Sequence, residues 1–345
     1  MMAVPAMKLI GLPHTASAAL WLGPDWGCLY ARPDQDDLLT RLVLLRDGVE
    51  EVLWDGAIAV DPRFYRASED LALCLFPGQA LFAIRRVQGA TMCSELAAPQ
   101  GARLPAMIAP PADGLWAGFD HSDIPCLCPL ELQETNFTLG TALELPDLAR
   151  DSRISALLRD RSGAMTLVAD NLREGFELWQ RSAEGAWTRR IEKGCWRYGF
   201  NAAVTALLAD EDGLCLAAGL GAQAQVNLLG MSAKPELLRL DTDGPCRMIV
   251  GEPRYSPTGL MRPEAENAPP ARYRGTITAM CHTADGPCLA MVRKDGTSWV
   301  LALEADGGVS QSEVLDGDVL ELVPAPGDEL VVVMRYAEGF RLMEG

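Results

Sequence analysis

The feature that most constrains this chain is a phrase that it repeats. Ile154-Ser155-Ala156-Leu157-Leu158 leads into a polar turn ending at Gly163, and a second apolar run follows. Fifty residues on, Val204-Thr205-Ala206-Leu207-Leu208 leads to Gly213 in the same frame, and Ile277-Thr278-Ala279-Met280-Cys281 does so again before Gly286. Weaker copies end at Gly27, Gly78, Gly114 and Gly327. The seven turn glycines span 300 residues in six steps that average 50. A repeat of about 40 to 50 residues built from short β-rich runs is the period of a radial array of small sheets, a β-propeller.

Each copy has the same physics. Two short apolar runs flank a turn of four or five residues with Asp or Ser ahead of the glycine, the pattern of an antiparallel hairpin. In the clearest copy two further strands follow, Gly175 to Trp179 and Trp187 to Ile191, separated by "QRSAEGA". One unit is therefore a four-stranded sheet. Such a sheet leaves two apolar faces, and radial stacking of seven of them buries both while leaving short edges. The nearest thing to an amphipathic helix, "LPDLARDSRISALLRD", is claimed by the repeat from its second half onward.

The ends of the chain complement each other. The last unit has runs near Val319–Val323, Leu330–Met334 and Phe340–Met343, and lacks a fourth. Met7 to Leu12 precedes the first unit and has no other assignment, so it is expected to supply the missing outer strand and close the ring. The reading is an all-β, seven-bladed propeller forming one domain over 1–345. The short step from Gly78 to Gly114, 36 residues, and the long one from Gly213 to Gly286, 73 residues, leave six blades as the alternative count.

The segment from Ile154 to Pro263 resembles a group of bacterial β-propeller repeat proteins. Their blades carry a Leu-Tyr-x-Gly-Thr strand, a Gly-x-Glu-x-Trp strand and a Trp some eight residues later. Gly175, Glu177, Trp179 and Trp187 match the second and third elements, and Gly219 matches the glycine of the first. Val250-Gly251, Pro253-Arg254 and the following proline resemble the group's long insertion. The Tyr and Thr of the first motif are absent from "LCLAAG" and "MTLVAD". The resemblance implies the propeller fold and transfers no catalytic residue.

Charge narrows the partners. Thirty Lys and Arg against 47 Asp and Glu leave a net charge of -17, and such a surface repels phosphate backbones and anionic headgroups. Nucleic acid and membrane are excluded as expected partners, and a protein partner is favoured. The N-terminal segment breaks at Pro5, Gly11 and Pro13 before any apolar run of signal length, and no run reaches the ~18 apolar residues of a spanning helix. With no export signal and no regular cysteine framework, the ten cysteines read as reduced thiols and the expected location is cytoplasmic.

Several constellations could carry chemistry. Cys288 and Cys215 lie two residues after a turn glycine, the slot held by Trp116 and Met165 in other copies, and Cys281 occupies the position of Leu158 and Leu208. All three read as packing residues. Cys126 and Cys128, two apart on a strand, share a face, and His121 with Asp120 or Asp123 could complete a soft metal set. Yet Cys-x-Cys lacks the paired Cys-x-x-Cys spacing of structural zinc, so the segment reads first as a loop followed by a core strand. His282 ends an inner-strand run and faces either a central channel or the hairpin turn. No motif assembles a nucleophile, base and orienter, and no catalytic residue is assigned. Trp187, after the Asp-box-like turn "RSAEGAW", reads as a wedge between sheets.

The most irregular stretch is the insertion at 251–275, rich in proline, arginine and tyrosine. Arg254, Tyr255, Arg262, Arg272, Tyr273 and Arg274 suit an anionic group or a partner surface. The expected function is that of a noncatalytic binding or scaffold propeller in a cytosolic complex, with this loop as the contact and no cofactor. The alternative is an enzyme, a metal-assisted hydrolase or lyase, that recruits His282 and His121 in a central funnel. The oligomeric state stays open.

Overall fold

A computed structural model of the chain describes residues 4–33, 39–58, 60–109, 114–119, 125–148, 152–159, 164–171, 175–191, 202–210, 213–220, 236–241, 246–250, 276–293, 295–303 and 309–336. Its described regular structure is all β. After β1 (Ala6–Leu12) come β2 (Ala18–Gly23), β3 (Gly27–Pro33), β4 (Thr40–Arg46) and β5 (Val49–Gly56), which form one antiparallel sheet in that order. The next sheet is β6 (Arg63–Ser68), β7 (Leu71–Phe76), β8 (Ala80–Val87) and β9 (Ala90–Glu95). The third is β10 (Met107–Ala109), β11 (Leu115–Phe119), β12 (Cys126–Leu132) and β13 (Phe137–Leu139).

The same meander recurs in β14 (Arg153–Arg159), β15 (Met165–Asn171), β16 (Gly175–Arg181) and β17 (Trp187–Ile191). It recurs again in β18 (Ala202–Asp210), β19 (Gly213–Leu220), β20 (Glu236–Asp241) and β21 (Cys246–Val250). A final seven-stranded sheet joins β22 (Thr276–Thr283), β23 (Gly286–Val292), β24 (Thr297–Leu303) and β25 (Val309–Gln311) to β26 (Leu315–Ala325), β27 (Glu329–Tyr336) and β1. Successive four-stranded antiparallel sheets of this kind make the fold propeller-like.

The chain divides into two compact units. One comprises Thr15–Ala169 and Leu178–Thr188. In it β7 shows why the blade strands read as unbroken apolar runs rather than alternating ones. Cys74 and Phe76 point to one side, where Phe82 and Ile84 meet Leu20, Leu22, Trp26, Leu29 and Leu44 of the preceding sheet. Leu73 and Leu75 point to the other side, against Ile108, Ala117, Leu130 and Phe137 of the following one. Strand side chains alternate between faces, so a sheet covered on both sides needs apolar residues at every position. Trp54 reinforces the first interface, its ring centroid 4.8 Å from that of Phe82 and 5.7 Å from that of Phe76. Each such side chain contributes about 1.5–3 kcal/mol on burial.

The other unit comprises Met1–His14, Asp170–Glu177 and Arg189–Gly345. Ala206 and Leu208 of β18 pack against Ile277, Leu289, Met291, Trp299 and Leu301. On the far face Cys288, Ala290 and Val300 meet Val319, Leu322, Leu330, Val332 and Met334. Between these layers the buried Ser298 hydroxyl donates to the Gly317 carbonyl at 2.6 Å and accepts the Val319 amide at 3.2 Å. That hydroxyl satisfies the backbone where β26 leaves the edge of β24, after pairing Thr297 with Asp316 and Ser298 with Leu315.

Two expectations are corrected. Gly78, with φ of 69°, lies in the turn between β7 and β8, not in the first hairpin of its sheet. That first hairpin turns at Glu69–Asp70, between the partners Ser68 and Leu71, and carries no glycine. From Gly27 to Asp70 and from Asp70 to Gly114 are 43 and 44 residues, so the short step vanishes. The second correction concerns β1, which was expected as a fourth, outer strand beyond Phe340–Met343. It lies directly against β27, in parallel, with Met7 opposite Leu330 and Gly11 opposite Met334. Residues 340–343 lie outside the described residues.

Gly11 permits this pairing by what it lacks. A Cβ there would overlap the ring of Tyr336, which lies across the glycine. An aromatic ring over a strand glycine covers backbone that would otherwise face water. Gly11→Val is expected to destabilise the chain by about 1–3 kcal/mol through overpacking. In the Tyr336→Ala background the same substitution is expected to cost much less, a non-additivity measurable as a double-mutant cycle in denaturant midpoints. Equal costs in both backgrounds would show that the ring does not press on Gly11.

Candidate functional sites

Of the residues singled out from sequence, Arg254, Tyr255, Arg262, Arg272, Tyr273, Arg274 and His121 lie outside the described residues. Cys126 and Cys128 are described. They open β12, whose other neighbours on that edge are Phe119 opposite Cys126 and Ala117 opposite Cys128. Their sulfurs lie 3.6 Å apart on one face of the strand. Cys128 is buried at 8% exposure and Cys126 is half-buried. Burial, followed by the hydrogen bond with Cys126, pushes the Cys128 thiol up to about 11.

Cys281 and Cys288 are direct cross-strand partners in the hairpin of β22 and β23. Both are buried in the apolar layer with Val319 and Leu330, the packing role read from their positions. Burial pushes the Cys281 thiol up to about 12, and the neighbouring Cys288 adds to the effect. His282 follows Cys281 on the opposite face, exposed at the hairpin end, with Nδ1 3.2 Å from the Thr283 carbonyl. The structure thus places His282 by the turn, and Thr283 closes that turn by donating its hydroxyl to the Gly286 carbonyl at 2.9 Å.

The residues carrying the family resemblance have structural work. Glu177 is buried at 1% exposure, and the Arg189 guanidinium stands 3.7 Å from its carboxylate. Trp187 packs, partly buried, on the cluster of Met107, Leu127, Ile154 and Met165, and its indole N–H donates to the Glu144 carbonyl at 3.0 Å. The turn before it is a hairpin turn, with Gly185 N–H donating to Ser182 and Ser182 N–H to Ala186. A wedge between sheets describes Trp187 better than an open platform.

Two arrangements had not been singled out from sequence. Tyr30 donates its hydroxyl to Glu50, and Arg32 donates to the other oxygen of that carboxylate at 2.9 Å. The tyrosine is pushed well above its ordinary range, chiefly by burial and then by the bond to Glu50. These side chains tie β3 to β5 and satisfy one another. The second arrangement is on the outer strands of neighbouring sheets. Val49 and Val52 on β5 and Met92 on β9 are 68%, 50% and 59% exposed. Glu50, Glu51, Asp55 and Glu95 stand exposed beside them. Strands β5 and β9 serve one core, since Leu53, Trp54 and Cys93 line the same cluster and Trp26 donates to Thr91 across it at 3.2 Å. A signal was present in "VEEVLW", where acidic and apolar residues mix without the alternation of a covered strand.

Among the described residues no three His, Cys, Asp or Glu side chains gather in a metal-binding group. No helix among them is long and apolar enough to cross a membrane.

No protein-family model and no curated protein matches the sequence. Solved structures do match in fold. A candidate 6-phosphogluconolactonase from Bacteroides fragilis is 14% identical with a TM-score of 0.52, covering 87% of this chain and 84% of its own. Sqt1 of Saccharomyces cerevisiae is 11% identical with a TM-score of 0.50, covering 96% of this chain and 83% of its own. A second candidate 6-phosphogluconolactonase, from Bacteroides uniformis, is 13% identical with a TM-score of 0.50 and covers 88% of each chain. At these identities the likeness is one of fold, and it carries no catalytic residue to this chain.

The buried thiols set an alkaline limit. Cys93 and Cys281 hold their protons to about 11 and about 12, against an ordinary 9.0, because burial disfavours the thiolate. The unfolded chain releases those protons sooner, so the stability they confer is full below about pH 9 and is lost as pH rises toward about 12. Denaturant midpoints should be level from about pH 7 to 9 and fall above it, with a shallower fall in Cys281→Ala. An unchanged slope in that variant would remove Cys281 from the account.

Proposed function

We propose that this protein is a noncatalytic binding propeller that holds a protein partner, acting as a scaffold in a cytoplasmic complex. Seven blades are read as five four-stranded sheets and a joined sheet of four strands plus three. The parallel pairing of β1 with β27 supports closure of the ring through the N-terminal strand. A rigid array of sheets needs no chemistry of its own to present a binding surface.

The observation that carries the binding reading is the outer strand β5, whose Val49 and Val52 stand exposed on opposite faces among Glu50, Glu51 and Asp55, with Met92 exposed on the neighbouring outer strand β9. An outer strand with exposed apolar and acidic side chains offers a partner both its unpaired backbone edge and its side chains. The edge is acidic in a chain of net charge -17, so the complementary partner is a basic segment with apolar anchors. The insertion at 251–275, with Arg254, Tyr255, Arg262, Arg272, Tyr273 and Arg274, is proposed as a second contact that reads anionic groups of the same partner. The resemblance carried by Gly175, Glu177, Trp179 and Trp187 agrees with a structural scaffold, since Glu177 pairs with Arg189 and the two tryptophans pack between strands.

The test is affinity capture from native extract followed by reconstitution of the purified pair. Three forms are compared: the intact chain, a chain with 254–274 replaced by a short Gly/Ser link, and Val52→Glu/Met92→Glu. A single stoichiometric partner is expected with the intact chain, and reconstituted affinity is expected to drop by about tenfold or more in the double variant. Undiminished binding in both altered forms, or no partner with the intact chain, would overturn the reading.

A further inference from the structure

Cys126 and Cys128 hold a geometry that packing alone does not require. Their sulfurs sit 3.6 Å apart on one face of β12. Two thiolates on one tetrahedral ion, with metal–sulfur bonds of ~2.3 Å, are separated by about 3.8 Å. The bite of a two-sulfur chelate is therefore present in the strand as it stands.

A disulfide asks for a different backbone. It needs sulfurs ~2.05 Å apart and Cα atoms within about 4.4–6.8 Å. Two residues of extended strand advance about 6.6 Å, at the far limit of that range. Bending β12 to shorten the distance is opposed on both edges. Phe119 and Ala117 pair with Cys126 and Cys128 on one side, and the Leu143 amide donates to the Leu127 carbonyl at 2.8 Å on the other. Oxidation to a disulfide must distort these contacts, whereas chelation leaves them in place.

The surroundings select the ion. Cys126 is half-buried and gives access, while Cys128 is buried, opposite its cross-strand partner Ala117 and on the same face of β12 as Leu130. Among the described residues no third metal-ligating side chain joins the pair. Soft ions bind thiolate by preference.

We infer that Cys126 and Cys128 form a bidentate dithiolate site for a single soft, thiophilic ion. The buried pair Cys281 and Cys288 has no comparable access, being enclosed by Val319, Leu330 and Val332. This inference stands independently of the partner-binding reading, because it concerns a different strand and a different ligand.

The test uses the full reduced chain with two probes, phenylarsine oxide and cadmium ion. The arsenical forms two As–S bonds at one arsenic, its As–O bond breaks, and the two thiol protons leave with the oxygen as water, so no oxidant is needed. Mass mapping of peptides is expected to find one adduct on the segment carrying Cys126 and Cys128, with both thiols protected from alkylation. Cadmium should compete for it. Cys126→Ser and Cys128→Ser should each abolish the adduct and weaken cadmium binding by about tenfold or more, while Cys93→Ser changes neither. Alkylation of both thiols in the unmodified chain despite excess arsenical would overturn the site, a result that depends on no variant folding. Retention of the adduct or of cadmium affinity in a folded Cys126→Ser chain would overturn it equally.

Discussion

Burial of a sheet on both faces, as in β6 to β9, is the constraint on which the rest of this structure depends. A four-stranded sheet with apolar residues at every inner position cannot exist alone in water, and its neighbours are what make it stable. The layer between Phe76 and Trp54 and the layer between Leu75 and Phe137 are two sides of one sheet. Removing either neighbour exposes an interface, so stability is shared between adjacent sheets rather than held in a single core. The buried polar groups serve the same end. Ser298 caps the backbone where β26 departs from β24, and the buried Glu177 faces Arg189.

This arrangement also explains where the thiols are and why most are inert. Cysteine is a small apolar residue when buried, and Cys74, Cys281 and Cys288 fill interlayer positions that leucine or methionine holds elsewhere. Their raised protonation ranges follow from that burial. Cys126 differs because it opens its strand, where it is half-buried and its sulfur lies on the same face as that of Cys128. The contrast comes from position along the strand, since the residue type is the same.

Much of the architecture was legible in the chain. Hairpin phrases around Gly27, Gly114, Gly213, Gly286 and Gly327 correspond to hairpins in space, and the strands at Gly175 and Trp187 lie where their apolar patterns put them. The frame slipped where a turn was made without glycine, at Glu69–Asp70, because a two-residue turn of acidic residues leaves no mark that distinguishes it from a strand end. The placement of β1 was legible only in part. A spare apolar run at one end and a short unit at the other pointed to pairing, but not to direct parallel contact with β27, which rests on the fit of Tyr336 over Gly11. The exposed apolar set on β5 and β9 escaped notice because exposure depends on what lies beside a strand, and composition does not report that.

What the sequence by itself determined was the unit: its period, its four strands and its apolar faces. These are local properties, set by alternation, turn residues and spacing along the chain. What only the tertiary structure decided was adjacency across the chain. It put β1 on β27, Glu50 between Tyr30 and Arg32, and the sulfurs of Cys126 and Cys128 within a chelating distance on a strand held at both edges. Such relations depend on the register and packing of strands far apart in sequence, and those become defined only when the apolar faces have met.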